Sequence, residues 1–245
     1  RSGVGSSSAF VVGLMNIFCN IQGKKISKKN LAKKSIIFEQ KILNEIVGSQ
    51  DQVASVYGGF NKMDFGETVK RGSYKKETGF GLCDQELREI SEHLHLFYTG
   101  ITRESKDILT IQNENLINDN EVINHMHENV AVAQTLSQEL VKKNFNSIPS
   151  ALRQNWELKK KFAGNISNQE LDNLCDRALT IGGAAAGKII GAGGGGFMLF
   201  WAEDKKKLKE ALADYQELPF VIDKYGSRIV LNINTYFFKS LWHKT

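Results

Sequence analysis

Three short stretches of this chain hold residues whose types and spacing suit chemistry. The first, Gly3-Val4-Gly5-Ser6-Ser7-Ser8, stands directly before an apolar run in which Phe10, Val11, Leu14, Met15 and Phe18 recur at helical spacing. Glycine allows backbone turns and close approaches that a side chain forbids, and serine is a good helix N-cap. The first N–H groups of a helix lack partners within it, and its dipole favours negative charge there. This stretch reads either as a phosphate-binding helix start or as a plain glycine turn with a serine cap. In the second stretch, GSQDQVASVYGG, Asp51 lies between two amides and ahead of small residues. It could cap a helix. Brought beside the serine helix, it would instead be the base or orienting carboxylate for a hydroxyl attacking a phosphate. Glu39, on the preceding predicted helix, is a plausible metal carboxylate. Magnesium takes few protein oxygens and keeps its own waters, so one glutamate and one serine hydroxyl suffice. The third stretch, GKIIGAGGGGFMLF, clasps a glycine run between apolar residues, which disfavours a linker. It reads as a tight passage where another backbone packs closely, or as a loop supporting a phosphate site.

Other candidates carry less. Gly182 to Lys188 fits the GxxxxGK part of a P-loop, but Ile189 follows where a hydroxyl should hold magnesium, and a strand is predicted where a helix should be. The motif is rejected. His93 and His95 are expected on one side of a strand, and His125 and His127 two apart on a helix, where they do not face together. Without a carboxylate at ligand spacing, packing and surface roles suit them better. Cys19, Cys83 and Cys175 form an odd, widely spaced set with no CxxC pair. That suits a reducing cytoplasm better than a disulfide framework.

These residues must be positioned by a fold of mixed type. Helices are predicted over about 10–21 and 31–46, short strands over 60–74, and a strand at HLHLFYTG. Helical periodicity returns over 104–143 and 148–162. Ser167 and Glu170 make a capping box for a helix reaching about Leu179. Beyond it come two apolar strands around the glycine run, a Lys-rich helix to about Leu218, and strands at PFVID and SRIVLNINTYFF, an α+β order. The opening helix is expected to be buried.

The 245 residues carry a net charge of +5 and are 41% hydrophobic, so the chain is long enough for one large or two small globular domains. The lysines fall in local groups without interleaved aromatics, the pattern of a solvated helix face and not of a nucleic-acid groove. The apolar run from Ala9 to Met15 is too short to span a bilayer.

Taken together, GVGSSSA, GSQDQ and KIIGAGGGGFMLF resemble, in order and spacing, three motifs of the GHMP-type kinases. The segments SQDQVASVYGGFN, LFYTGITRESKDIL and WELKKKFAGNISNQELDNLCDRAL are most similar to the heptose 7-phosphate kinases of that family. The resemblance covers nearly the whole chain. It implies an α+β fold of two domains: an N-terminal ribosomal-S5-domain-2-like layer of helices against a mixed sheet, here residues 1–90 and incomplete, and a ferredoxin-like layer over 91–245. It also implies strands and a first motif ahead of the serine loop, so the chain is expected to be part of a longer protein. The phosphate-cradling loop maps to Gly3, Val4, Gly5, Ser6, Ser7 and Ser8, with Ser7 and Glu39 holding magnesium and Asp51 as the catalytic aspartate. Gly191, Gly193, Gly194, Gly195 and Gly196 match the third motif, which supports the nucleotide loop. The implied activity is ATP- and magnesium-dependent phosphorylation of the anomeric hydroxyl of a small-molecule sugar phosphate, a heptose 7-phosphate, in the cytoplasm, with no nucleic-acid or membrane partner. Rival readings are a kinase for fucose or another free sugar, a non-catalytic nucleotide- or sugar-binding regulator, and a basic nucleic-acid-binding module. A cationic subsite for the distal phosphate would separate the first rival, with Arg71, Lys75, Arg103 and Lys106 as candidates.

Overall fold

A computed structural model of the chain describes residues 3–65, 76–102 and 105–230. The first helix, α1 (Ser6–Ile21), starts from Gly5, whose left-handed backbone (φ 68°) turns the chain into the helix without any side-chain cap. The serines expected as caps thus lie inside its first turn. Helix α2 (Lys28–Ile37) begins earlier than the periodicity suggested, because Ser27 Oγ accepts from the Asn30 amide at 3.3 Å and caps it. It runs directly into a wider π-helical turn, Phe38–Ile42. Helix α3 (Gln50–Tyr57) ends at Gly58. The three helices pack through Val12, Leu31, Ala32, Ile36, Val53 and Val56. The expectation that α1 is buried holds for one face only. Val11, Val12 and Cys19 are covered by the neighbouring helices, whereas Phe10 and Ile21 are 70% and 72% exposed, because no described element lies against that side.

Strands β1 (Asn61–Asp64) and β2 (Lys76–Gly79) form an antiparallel pair. The mixed sheet implied for this layer is not seen among the described residues, and the remainder of the stretch predicted as strand over 60–74 lies outside them.

The second half is built on one sheet. Helix α4 (Asp84–His93) leads into β3 (Leu94–Tyr98), so His93 ends a helix and does not share a strand with His95. Then follow α5 (Ser105–Asn118), α6 (Asn120–Val141), α7 (Ile148–Lys160) and α8 (Gln169–Thr180). The helical stretch after residue 104 divides at Asp119, whose carboxylate accepts from the Glu121 and Val122 amides and starts a new helix. The cap of α8 is Asn168, accepting from the Leu171 amide at 3.0 Å, and Ser167 instead donates to Asp172. Strands β4 (Ala186–Ile189) and β5 (Phe197–Trp201), helix α9 (Lys205–Ala211) and strand β6 (Gln216–Glu217) complete the layer.

All strand pairs in this sheet are antiparallel, in the order β4-β5-β3-β6. A strand, a helical excursion, two hairpin strands, a helix and a last strand beside the first is the split βαβ arrangement of a ferredoxin-like layer. Both faces of the sheet are covered, which is why β3 reads as the near-continuous apolar run LHLFY. Phe97, Ile166, Leu171, Leu174, Met198, Phe200 and Leu208 fill one side. Leu87, Ile90, Leu94, Ile148 and Trp201 fill another cluster.

The Lys-rich helix stops at Ala211, well before Leu218, because the chain turns to pair β6 with β3. PFVID is not a strand. Its backbone is taken by the helical layers instead: the Ile222 amide donates to Ser91 Oγ, and the Asp223 carbonyl accepts from the Gly59 amide. Residues 228–230 are likewise without regular structure, and the rest of the last predicted strand lies outside the described residues.

Candidate active site

Glu39 sits on the π-helical turn, and the widened register carries its carboxylate into the interior, where only 2% of the residue is exposed. Its carboxylate has two neutral partners. Ser8 Oγ donates to Glu39 Oε1 at 3.1 Å, and the Gln52 amide donates to the other oxygen and, at 3.3 Å, to Ser8 Oγ. Three helical elements therefore meet at one buried polar knot. Gln52 is fully buried, and among the described residues its Oε1 has no hydrogen-bond partner.

Asp51 precedes Gln52 on the first turn of α3 and points the other way. Its carboxyl lies against Gly5, where a side-chain carbon added to the glycine would come within 3.2 Å of Asp51 Cγ. Gly5 also needs its positive φ, so the residue before α1 is glycine for two independent reasons. Burial raises the Asp51 carboxyl above the ordinary carboxylate range, and a hydrogen bond from Gln50 offsets part of that rise. Ser55 Oγ donates to the Asp51 carbonyl, and Gln40 ties the loop before α3 through Val47 O and Ser49 Oγ.

The glycine run is a tight passage with its backbone engaged on both sides. Gly194 N donates to Ile166 O at 2.7 Å, Gly196 N to Ile101 O at 2.9 Å, and Gly196 O accepts from Thr99. Gly191, at the entrance of the run, abuts the serine loop. A carbon added to it would sit 2.7 Å from Gly3 O. Lys159 Nζ donates to the Gly191 carbonyl from α7.

Of the residues singled out in the sequence, the structure thus brings Gly3 to Gly191, Gly5 to Asp51, and Ser8 to Glu39. Ser6 and Ser7 are exposed on the first turn of α1, where backbone N–H groups lack intrahelical acceptors. Sequence reasoning missed Gln52. The signal was available in GSQDQ, because a helix that turns Asp51 toward the serine loop must rotate the next residue roughly 100° away from it, into the interior. The distal-phosphate candidates Arg71, Lys75 and Arg103 lie outside the described residues, as does the Lys106 side chain.

The arrangement suits two groups. Positive-φ glycines at 3 and 5 and the first-turn N–H groups of α1 can cradle phosphate oxygens. Glu39, a first-turn serine hydroxyl and the unpartnered Gln52 oxygen are hard oxygen donors of the kind magnesium takes. The histidines serve elsewhere. His93 stacks on Trp201, His95 lies 3.5 Å from Glu217, and His125 lies between Glu121 and Glu128. Among the described residues no cluster of three or more His, Cys, Asp or Glu could hold a metal. Nor, among them, is any helix long and apolar enough to cross a membrane.

Comparison with known proteins agrees with this geometry. Residues 1–59 match the family model of the GHMP kinases N terminal domain, and residues 136–218 match that of GHMP kinases C terminal. The chain is 31% identical over 222 residues to a D-glycero-alpha-D-manno-heptose 7-phosphate kinase of Campylobacter jejuni, covering 91% of this chain and 64% of that protein. It is 25% identical over 211 residues to a bifunctional fucokinase/GDP-fucose pyrophosphorylase of Arabidopsis thaliana, covering 85% of this chain and 19% of that protein. The chain therefore spans less than two thirds of the length of either relative. Among solved structures, a D-glycero-D-manno-heptose 1-phosphate kinase from Bacteroides thetaiotaomicron superposes with a TM-score of 0.62 at 23% identity, covering 94% of this chain and 65% of that one. Lactococcus lactis galactokinase superposes with a TM-score of 0.67 at 14% identity, covering 94% and 69%. With its two glycine loops in contact at Gly3 and Gly191 and both family models matched in order, the chain belongs to the GHMP kinases.

Proposed function

We propose that the protein carrying this chain transfers the terminal phosphoryl group of ATP to the anomeric hydroxyl of D-glycero-D-manno-heptose 7-phosphate, giving the 1,7-bisphosphate. The observation that carries the reading is the Asp51 carboxyl held against Gly5, at the start of the helix whose first N–H groups suit phosphate. The likeness to a heptose 7-phosphate kinase supports the choice of acceptor.

In this mechanism the serine loop, Gly3 to Ser8, and the N-terminus of α1 hold the nucleotide phosphates. Gly193, Gly194 and Gly195 keep the third loop in place behind it. Asp51 accepts the proton of the acceptor hydroxyl as its oxygen bonds to the terminal phosphorus, and the bond from that phosphorus to ADP breaks. Burial raises the Asp51 carboxyl above the ordinary carboxylate range, which strengthens it as a base. Glu39 and Ser7 would hold magnesium, which neutralises phosphate charge when bound. Ser8 and Gln52 orient the Glu39 carboxylate. Positioning and charge stabilisation supply most of the acceleration in such transfers. Residues 1–90 would carry the nucleotide and metal groups and residues 91–245 the supporting layer. A second reading, an anomeric kinase for fucose, is favoured by the match to the Arabidopsis fucokinase.

The test is ADP release by the intact protein with ATP and magnesium across the heptose 7-phosphate, fucose, glucuronate and galactose, with Asp51→Asn alongside. Turnover is expected with the heptose phosphate and is expected to fall about 10²–10⁴-fold in Asp51→Asn, the usual span for loss of a general base. Turnover with fucose alone would establish the second reading. Undiminished turnover in the variant would remove Asp51 from the chemistry.

A further inference from the structure

Lys159 and Lys188 face each other from two elements, and the phosphoryl-transfer chemistry above uses neither. Strand β4 alternates: Gly187 and Ile189 face the core, with Gly187 against Phe200 and Cys175, so Lys188 projects to the opposite side. There its ammonium donates to Asn155 Oδ1 on α7, and Asn155 donates in turn to Asn129 on α6 at 2.7 Å. Lys159 lies one helical turn after Asn155 on the same face of α7 and donates to the Gly191 carbonyl. The two ammoniums are thus drawn together beside the contact between Gly191 and Gly3.

What they lack is negative charge. Among the described residues, neither lysine has a carboxylate within ion-pair distance, although Glu157, two residues before Lys159, pairs with Lys160 at 2.9 Å. An ammonium has three N–H donors, and among the described residues each of these two lysines has one acceptor. Burial pushes Lys159 down to about 7, with the Lys188 charge adding to the effect, and burial pushes Lys188 down to about 8. Two like charges, partly removed from water and unneutralised, are costly unless an anion completes them.

We propose that Lys159 and Lys188, beside the Gly191 turn, form a subsite for a phosphate monoester dianion carried by the acceptor, distinct from the α1 N-terminus that takes the nucleotide. The inference rests on the kinase reading for the identity of the carrier, and on the lysine pair alone for the anion. It deepens that reading by assigning the charge that distinguishes a sugar phosphate from a free sugar. Two charge-assisted hydrogen bonds to such a group are worth at least about tenfold in affinity.

The test uses the intact protein with Lys188→Met and Lys159→Met, whose side chains keep the buried stem. KM for the heptose 7-phosphate is expected to rise at least about tenfold in both, with KM for ATP and turnover of the unphosphorylated heptose unchanged in Lys188→Met. With ADP and magnesium saturating the α1 site, inorganic phosphate is expected to raise the melting temperature further in the parent protein and not in either variant. Lys188→Arg, which keeps the charge, should retain most of the affinity and guards against a variant that fails to fold. An equal KM rise for both acceptors, a rise in KM for ATP in Lys188→Met, or phosphate stabilisation persisting in the variants with the nucleotide site filled would each overturn the proposal. If no sugar turns over at all, the kinase reading fails, while loss of phosphate binding in the variants would still establish the anion site.

Discussion

Around Glu39 the interior of the helical layer holds Ser8, Ser35 and Gln52 beside an apolar cluster of six buried residues among those described. The four-stranded sheet, by contrast, packs Phe97, Ile166, Met198 and Phe200 into a cluster three times that size, with His95 buried beside it. A large apolar interior fixes its members by shape, and many substitutions of similar volume satisfy it. A small interior with a carboxylate at its end is fixed by hydrogen bonds, each of which specifies a partner. The first is suited to hold loops still, and the second to hold a charge at a defined point.

That contrast can be broken by measurement. The largest effect on folding is expected from Phe200→Ala, which should cost about 3–5 kcal/mol in urea unfolding because the ring fills space between Phe97 and Gly187. A cost near zero would show that the sheet's interior is not what stabilises this half. Gln52→Leu should cost less, about 1–3 kcal/mol, by leaving the Glu39 carboxylate and Ser8 without their amide donor. It should also weaken the magnesium dependence of turnover more than it changes KM for the sugar, a split that loss of packing alone would not produce.

A separate effect is expected on pH dependence. Lys159 titrates near 7 in the folded protein and near 10.5 when unfolded, so between those values the unfolded chain holds the extra proton. Stability from this group therefore rises as pH increases from about 7 toward 10, and its burial cost is present in full below that window. Denaturation midpoints compared between about pH 7 and 9.5 should rise more in the parent protein than in Lys159→Met. Equal rises would assign the dependence to other groups.

The order of elements and the glycine loops were legible in the sequence because both follow from local signals: apolar spacing, turn glycines and the run GAGGGG. The ferredoxin-like layer was legible only through resemblance, since nothing within LHLFY states that its partner is FMLFW. The misplaced details were those set by tertiary partners. PFVID has the composition of a strand, yet Ser91 and Gly59 bind its backbone and no sheet neighbour is left for it. Ser167 fits a capping box, but Asn168 is the better acceptor one residue later. In the site, the residue types at 8, 39 and 51 were plain. The bond between Ser8 and Glu39 depended on a π-helical turn, for which FEQKI carries no known signal.

Strand β3 lies between β5 and β6 in the sheet, yet both partners are made long after it, with four α-helices before β5 and a fifth before β6. During synthesis LHLFY must therefore wait as an apolar segment with open hydrogen-bonding edges until FMLFW has left the ribosome. The intervening helices can form early from local contacts and bring the strand ends together. Until β5 arrives, the segment is a natural target for chaperones and for mispairing with another nascent copy.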